Sequence, residues 1–253
     1  MLNPFVYQYL SQNPLYSELE PKIPVDLASQ YSQAGEDLIV KSLVYRINYF
    51  LTRNHKASFN LEELRYLEIG ANHPVATSST YLFYLRGAMG ILVEPNPSLA
   101  KFLRHARPND EILEIACVDD NSTYRDLYVS EASELSSLVV ESPNRWINEF
   151  SIKETIEVLT LHVNSVAELF WHRHGKASST YLSIDCEGMD FRLISALDLD
   201  RFPFDIIQIE PGEPLTPGNL ERIENHLDQK GYLLIAITEV NAFFVNKLKF
   251  KVA

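Results

Sequence analysis

The chain has 253 residues, 46% of them hydrophobic and 22% charged, with a formal net charge of −12. That is enough apolar material for one large domain with a buried core. A broad acidic surface repels phosphate backbones and so disfavours sequence-independent nucleic-acid binding. No apolar run approaches membrane-spanning length, and no basic segment followed by an apolar stretch opens the chain. A cytoplasmic protein with no nucleic-acid and no membrane partner is the expectation. Cys117 and Cys186 fall in or just after apolar strand patterns and read as reduced, buried thiols.

Residues Met1 to Gln30 combine Pro4, Pro14, Pro21 and Pro24 with the aromatics Phe5, Tyr7, Tyr9 and Tyr16. They read as an irregular arm laid on the domain, able to cover the core, form a lid or make a homo-oligomer contact. Ser32-Gln33-Ala34-Gly35-Glu36-Asp37 then opens a helix with apolar Leu38, Ile39, Leu43, Val44, Ile47 and Leu51. Its early acids suit the positive end of the helix dipole. Asn54 to Asn60 is a polar linker. The organisation is therefore 1–60 as arm and helix packing on or over the site, and 61–253 as the catalytic domain.

The most informative stretch is Tyr66 to Asn96. An apolar strand ends in Glu68, Ile69 and Gly70, and Ala71-Asn72-His73-Pro74 follows. Thr77 to Arg86 reads as a helix stopped by Gly87, and Gly90 to Glu94 as a second strand ending in an acid. A glycine at a strand end permits a sharp turn and a close backbone approach to a ligand. An acid at the end of the second strand suits two ribose hydroxyls. A dinucleotide site wants G-x-G-x-x-G, whereas this loop holds only Gly70. S-adenosylmethionine has no phosphate and needs fewer glycines, so the stretch favours a methyl donor over a nicotinamide dinucleotide. An ordinary strand–helix–strand unit with a solvated Glu94 fits the motif too.

Asn96-Pro97 caps the next helix, which stops before Pro108. Ile112 to Val118 reads as a third strand, and the turn Asp119-Asp120-Asn121-Ser122 offers an acid to an adenine amino group. Tyr124 to Val129 and Glu154 to Leu161 read as extra strands. The segment between them, with Ser136, Ser137, Asn144, Arg145 and Trp146, reads as a substrate-side excursion. Val163 to Trp171 is a short helix, and His172 and His174 read as a solvated loop rather than a metal pair. Thr180 to Ile184 is a buried strand ending in Asp185-Cys186-Glu187-Gly188, and Asp205 to Glu210 another, ending in Glu210. Thr216-Pro217 caps a helix closed by Gly231, and Tyr232 to Thr238 with Asn241 to Asn246 form an antiparallel hairpin.

This alternation predicts an α/β, doubly wound, mostly parallel sheet with right-handed crossovers. Gly70, Glu94, Asp119, Asp185 and Glu210 then share the carboxyl edge, where ligands bind. Asp185 or Glu187 could take the proton of an attacking hydroxyl. Alternatively, Asp185 and Glu210 could hold Mg²⁺ that acidifies it. The Asn/Asp-Pro-Pro-aromatic element shared by amino-methylating nucleic-acid enzymes is replaced here by Asp185-Cys186-Glu187-Gly188. The Pro-Cys nucleophile shared by cytosine-carbon enzymes is missing. A hydroxyl acceptor is the reading that remains.

The pieces Ser32 to Asp37, Tyr66 to Pro74, Val93 to Pro97 and Leu182 to Asp190 together resemble the FkbM-type methyltransferase family. Ile207 to Glu210, Gly231-Tyr232 and Asn241 to Phe244 also fit. The resemblance implies a class I methyltransferase fold with a seven-stranded sheet and S-adenosylmethionine as donor. It implies O-methylation of a small-molecule or carbohydrate acceptor. Carried across, Gly70, Asn72 and His73 look like the donor loop and Glu94 like the ribose ligand. Their neighbours Ala71, Pro95 and Asn96 count with them on the cofactor side, as does Asp119 from the turn after the third strand, where such acids also serve simply as turn formers. Glu68 is aimed at the donor ammonium and Gln33 approaches the methionine tail. Asp185, Glu187 and Glu210 are the acceptor-side acids. Glu68 and Cys186 replace the Asp and Val of many family members. The competing readings are a nicotinamide-dependent oxidoreductase and a non-catalytic donor-binding or interaction module.

Overall fold

The computed structural model describes residues 30–51, 61–131, 136–139, 152–175, 177–212 and 218–250. The arm to residue 29, the Asn54 to Asn60 linker, Asn144, Arg145, Trp146 and the Thr216-Pro217 cap lie outside the described residues.

The chain opens with helix α1 (Glu36–Leu51), then β1 (Leu64–Ile69), α2 (Tyr81–Tyr84), β2 (Met89–Val93), α3 (Pro97–Ala106), β3 (Glu111–Leu113) and β4 (Ala116–Val118). It continues with β5 (Tyr124–Ser130), β6 (Ile152–His162), α4 (Val163–His174), β7 (Ser179–Ile184), α5 (Asp190–Ala196) and β8 (Ile206–Ile209). It closes with α6 (Asn219–Gln229), β9 (Tyr232–Ile237), β10 (Ala242–Asn246) and α7 (Lys247–Phe250).

Seven strands form one sheet in the order β3-β2-β1-β7-β8-β10-β9. The first five run parallel; β10 is antiparallel to both β8 and β9. Both faces of this sheet are covered, which is why the central strands are buried at almost every position rather than at alternate ones. On one face Leu67, Ile69, Leu182, Ile184, Ile207 and Ile209 pack beneath α4, α5 and α6. On the other, Tyr66, Leu92, Tyr181, Ile206, Phe243 and Val245 pack beneath α1 and the α2 turn. The switch in strand order falls between β1 and β7, so the carboxyl ends of β1, β2, β7 and β8 define the ligand edge.

Three elements depart from the sequence expectation. The stretch Ile112 to Val118 is two strands: β3 extends the large sheet, while β4 leaves it to pair with β6 in a separate β4-β6-β5 sheet. Asp119, which follows β4, is therefore carried by the smaller sheet. The helix expected from Thr77 shrinks to Tyr81–Tyr84, because Thr77 has a positive φ of 61° and forms a parallel bridge with Ser32. The helix expected to end at Trp171 runs on to His174, so His172 and His174 belong to its last turn and not to a loop. Both suit the negative end of the helix dipole.

Candidate active site

The turn after β1 is shaped by one steric fact. Gly70 has φ +87°, and a Cβ built on it would lie 1.8 Å from the Asp185 carbonyl oxygen. Only glycine allows β1 and β7 to end this close together. The main chain is tied on both sides: Gly70 N–H donates to Val93 O at 3.0 Å and Asp185 N–H to Ile69 O at 3.0 Å. The loop after β1 and the acids after β7 thus share one main-chain junction.

Asn72 follows with φ 46°, a conformation asparagine tolerates better than most residues. Its N–H donates to Glu94 Oε2 at 2.8 Å, and Asn96 N–H donates to Glu94 Oε1 at 2.8 Å. Glu94 is thereby fixed at the end of β2, with one lone pair on each oxygen left for a ligand hydroxyl. Burial pushes its carboxyl up to about 7, against the two amide donors that favour the ionised form. The Asn72 Oδ1 atom is buried without a hydrogen-bond partner among the described residues. It is an acceptor waiting for a donor, as a ligand hydroxyl or amine would supply. His73 has its Nδ1 accepting from Val75 N–H at 3.1 Å and Ala76 N–H at 2.9 Å. Burial lowers its pKa to about 4, so the ring is neutral with its proton on Nε2. Pro95 and Asn96 complete this wall, and Asn96 also caps α3 through Ser98 N–H.

The acids of the second wall come together as the topology requires. Ligand oxygens of Asp185, Glu187 and Glu210 lie within 4.8 Å of one another. Asp185 is pushed up to about 7, first by burial and then by the charges of Asp190, Glu68 and Glu36; a hydrogen bond with Glu210 works the other way. Two carboxyl groups in hydrogen-bond contact share a proton when no cation separates them. The turn carrying Glu187 at φ 48° is held by Asp190, whose carboxylate accepts from Cys186 N–H at 2.8 Å and Gly188 N–H at 3.1 Å. Ser137, reached from the β5 side by a bridge to Tyr128, donates its hydroxyl to Glu187 O at 2.7 Å.

Two expected site residues have other partners. Glu68 is 5% exposed; it accepts from Thr80 Oγ1 at 2.5 Å and Ser79 N–H at 3.3 Å, with Arg107 Nη1 3.8 Å away. Arg107 is fully buried, and its guanidinium also donates to Asp110 at 2.8 Å, Ser78 at 3.1 Å and Tyr66 Oη at 3.1 Å. Asp119 is held by the Arg192 fork, with contacts of 2.7 and 2.9 Å. Gln33 is exposed ahead of α1, and Ala71 is buried in the core beneath the loop. Cys117 is buried and Cys186 half-buried, both as free thiols. Burial pushes the Cys117 thiol up to about 12.

Sequence reasoning assigned no site role to Asp190, Glu36 or Asn241, while Ser137 falls in the segment it read as a substrate-side excursion. Glu36 looked like an ordinary first-turn acid, yet it is 1% exposed and its Oε1 accepts from Thr238 Oγ1 at 2.9 Å. Asn241 stands at the start of β10 and is 3% exposed. The available signal was their place in motifs already singled out: the Ser32 to Asp37 stretch and the final hairpin.

Comparison with known proteins adds the following. The family model described as the methyltransferase FkbM domain matches residues 68–234. No curated protein matches the chain. Among solved structures, the chain is similar to the crystal structure of a fibrillarin/Nop5p complex, with 9% identity, 79% of this chain and 78% of that chain covered, and a TM-score of 0.37. It is also similar to a TehB-like SAM-dependent methyltransferase from Corynebacterium glutamicum, with 9% identity, coverage of 97% and 100%, and a TM-score of 0.36. Neither score is high enough to bear on the site.

Proposed function

The chain belongs to the FkbM methyltransferase family, whose model spans more than half of it, and from that premise we propose an S-adenosylmethionine-dependent O-methyltransferase acting on a hydroxyl of a sugar, glycan or other natural product. The observation that carries the reading is the Gly70–Asp185 junction, which sets the loop after β1 against the main chain of Asp185, a residue whose carboxyl is pushed up to about 7 by burial. Glu94 is preset for two ribose hydroxyls, and the unpartnered Asn72 Oδ1 offers a further acceptor in the same loop. This set fits the donor.

S-adenosylmethionine supplies a sulfonium methyl: the acceptor oxygen–carbon bond forms as the sulfur–carbon bond breaks. The protein's part is to hold the acceptor in line, the largest source of acceleration open to it. Asp185 takes the hydroxyl proton, and a pKa near 7 matches that task at neutral pH. Glu210 shares and stabilises the proton. A second reading rests on the convergence of Asp185, Glu187 and Glu210, whose oxygens could hold Mg²⁺ against the acceptor hydroxyl. Under that reading the acids ligate rather than accept the proton.

One set of assays separates the readings. S-adenosylhomocysteine should bind in calorimetry where NADH and NADPH do not. With an acceptor found among sugars and polyols, the rate should rise through pH 7, survive EDTA, and fall at least 100-fold in Asp185→Asn. Loss with EDTA and recovery with Mg²⁺ would install the metal reading. Binding of a nicotinamide cofactor would overturn both.

A further inference from the structure

We propose that Glu36 and Asn241 form the subsite that receives the α-ammonium of the donor's amino-acid tail, a role sequence reasoning had placed on Glu68. This rests on the donor reading above. The charge of Glu68 is already balanced: its carboxylate faces the buried Arg107 guanidinium, Thr80 Oγ1 and Ser79 N–H. It has its cation.

Glu36 differs in each respect. Among the described residues it forms no ion pair; its Oε2 accepts from Ala34 N–H at 2.6 Å and its Oε1 from Thr238 Oγ1 at 2.9 Å. Each oxygen keeps one lone pair. The segment that carries it is docked on the chain that follows the Gly70–His73 loop, through the Ser32–Thr77 bridge and through the Tyr31 ring set edge-on to Tyr81 at 5.0 Å. Its contact with Thr238, in the turn between β9 and β10, sets it beside the edge of the sheet where β10 begins opposite the end of β8.

Asn241 is the second, independent observation. Its N–H donates to Thr238 Oγ1 at 3.0 Å and its carbonyl accepts from Thr238 N–H at 2.8 Å. One hydroxyl therefore separates it from Glu36. Because Ala242 pairs with Ile209, the antiparallel register sets Asn241 opposite Glu210, at the carboxyl edge and on the same face of the sheet. Its Oδ1 is buried and accepts no hydrogen bond among the described residues. A native protein leaves few such atoms unsatisfied. A carboxylate and a residue with an orphan amide oxygen, joined through one threonine hydroxyl by the Asn241 main-chain N–H, make a set with acceptors to spare. The group that complements it carries positive charge and several N–H donors, as a primary ammonium does.

The test uses two ligands that differ in that tail. S-adenosylhomocysteine carries the ammonium; 5′-methylthioadenosine keeps the nucleoside and lacks the amino acid. In Glu36→Gln, calorimetry should find S-adenosylhomocysteine bound about 10- to 100-fold more weakly, the loss of one charge-assisted contact. Methylthioadenosine should bind within about twofold of wild type, which also reports an intact fold. Asn241→Ala should show the same selective loss, although removing an unsatisfied buried acceptor would not otherwise harm the protein. Unchanged S-adenosylhomocysteine binding in Glu36→Gln overturns the assignment. So does a parallel loss of both ligands, which marks a structural role. If wild-type protein binds neither ligand, the donor reading itself falls, and this one with it.

Discussion

Replacing Gly70 by alanine should disable the protein at its junction. The new Cβ would sit 1.8 Å from the Asp185 carbonyl oxygen and 2.8 Å from its carbon, both main-chain atoms that no rotamer can move. Reaching a tolerable contact of roughly 3 Å demands a backbone displacement of about 1.2 Å, in an interior that resists it. The Asp185 N–H to Ile69 O bond, now 3.0 Å, would then open past any useful length. An alanine at φ +87° adds about 1–2 kcal/mol, and the lost buried hydrogen bond about 1–3 kcal/mol. The sum, roughly 2–5 kcal/mol, corresponds to a melting temperature lower by about 4–20 °C for a chain of this size. Scanning calorimetry measures it, with S-adenosylhomocysteine titration as the functional readout. A Gly70→Ala protein melting within about 2 °C of wild type and binding that ligand normally would refute the steric argument and the junction with it.

Arg107→Met strips the cation from buried Asp110 and Glu68. Stability in urea should fall by about 3–5 kcal/mol at pH 8, and by less at pH 5, where the orphaned acids can protonate. Equal losses at both pH values would count against charge as the cause. Glu94 sets a pH dependence of opposite origin: its carboxyl titrates near 7 when folded and near 4.5 otherwise. Between those values the folded state holds the extra proton, so this group's contribution to stability falls as pH rises from about 4.5 to 7. Urea midpoints measured across pH 5 to 8 should decline, and Glu94→Gln should flatten part of that slope. An identical slope in the variant would mean that Glu94 ionises normally.

Much of the architecture was legible because it is written in local pattern. Apolar runs ending in acids gave β1, β2, β7 and β8, and the crossover rule placed Asp185 beside Gly70 and Glu210 beside Asp185, as the sheet order has them. What escaped depends on partners distant in sequence. β4 deserts the large sheet for β6, a strand whose 11-residue length no local signal near Ala116 announces. Thr77 breaks the expected helix because it pairs with Ser32. Glu68 faces Arg107, which arrives at the end of α3 and which no pattern near β1 announces. Glu36 reads as a dipole acid until Thr238, from the far end of the chain, receives it. In each case the residue type was visible and its partner was not.

The hydroxyl of Ser137 on the Glu187 carbonyl joins two parts of the molecule that fold against different sheets. The chemistry at Asp185 is anchored in the large sheet; the brace on Glu187 comes from the strand pair β5 and β6. A change at Ser137 would therefore reach the Glu187 turn from the smaller sheet while leaving the Gly70–Asp185 main-chain contact of the large sheet untouched.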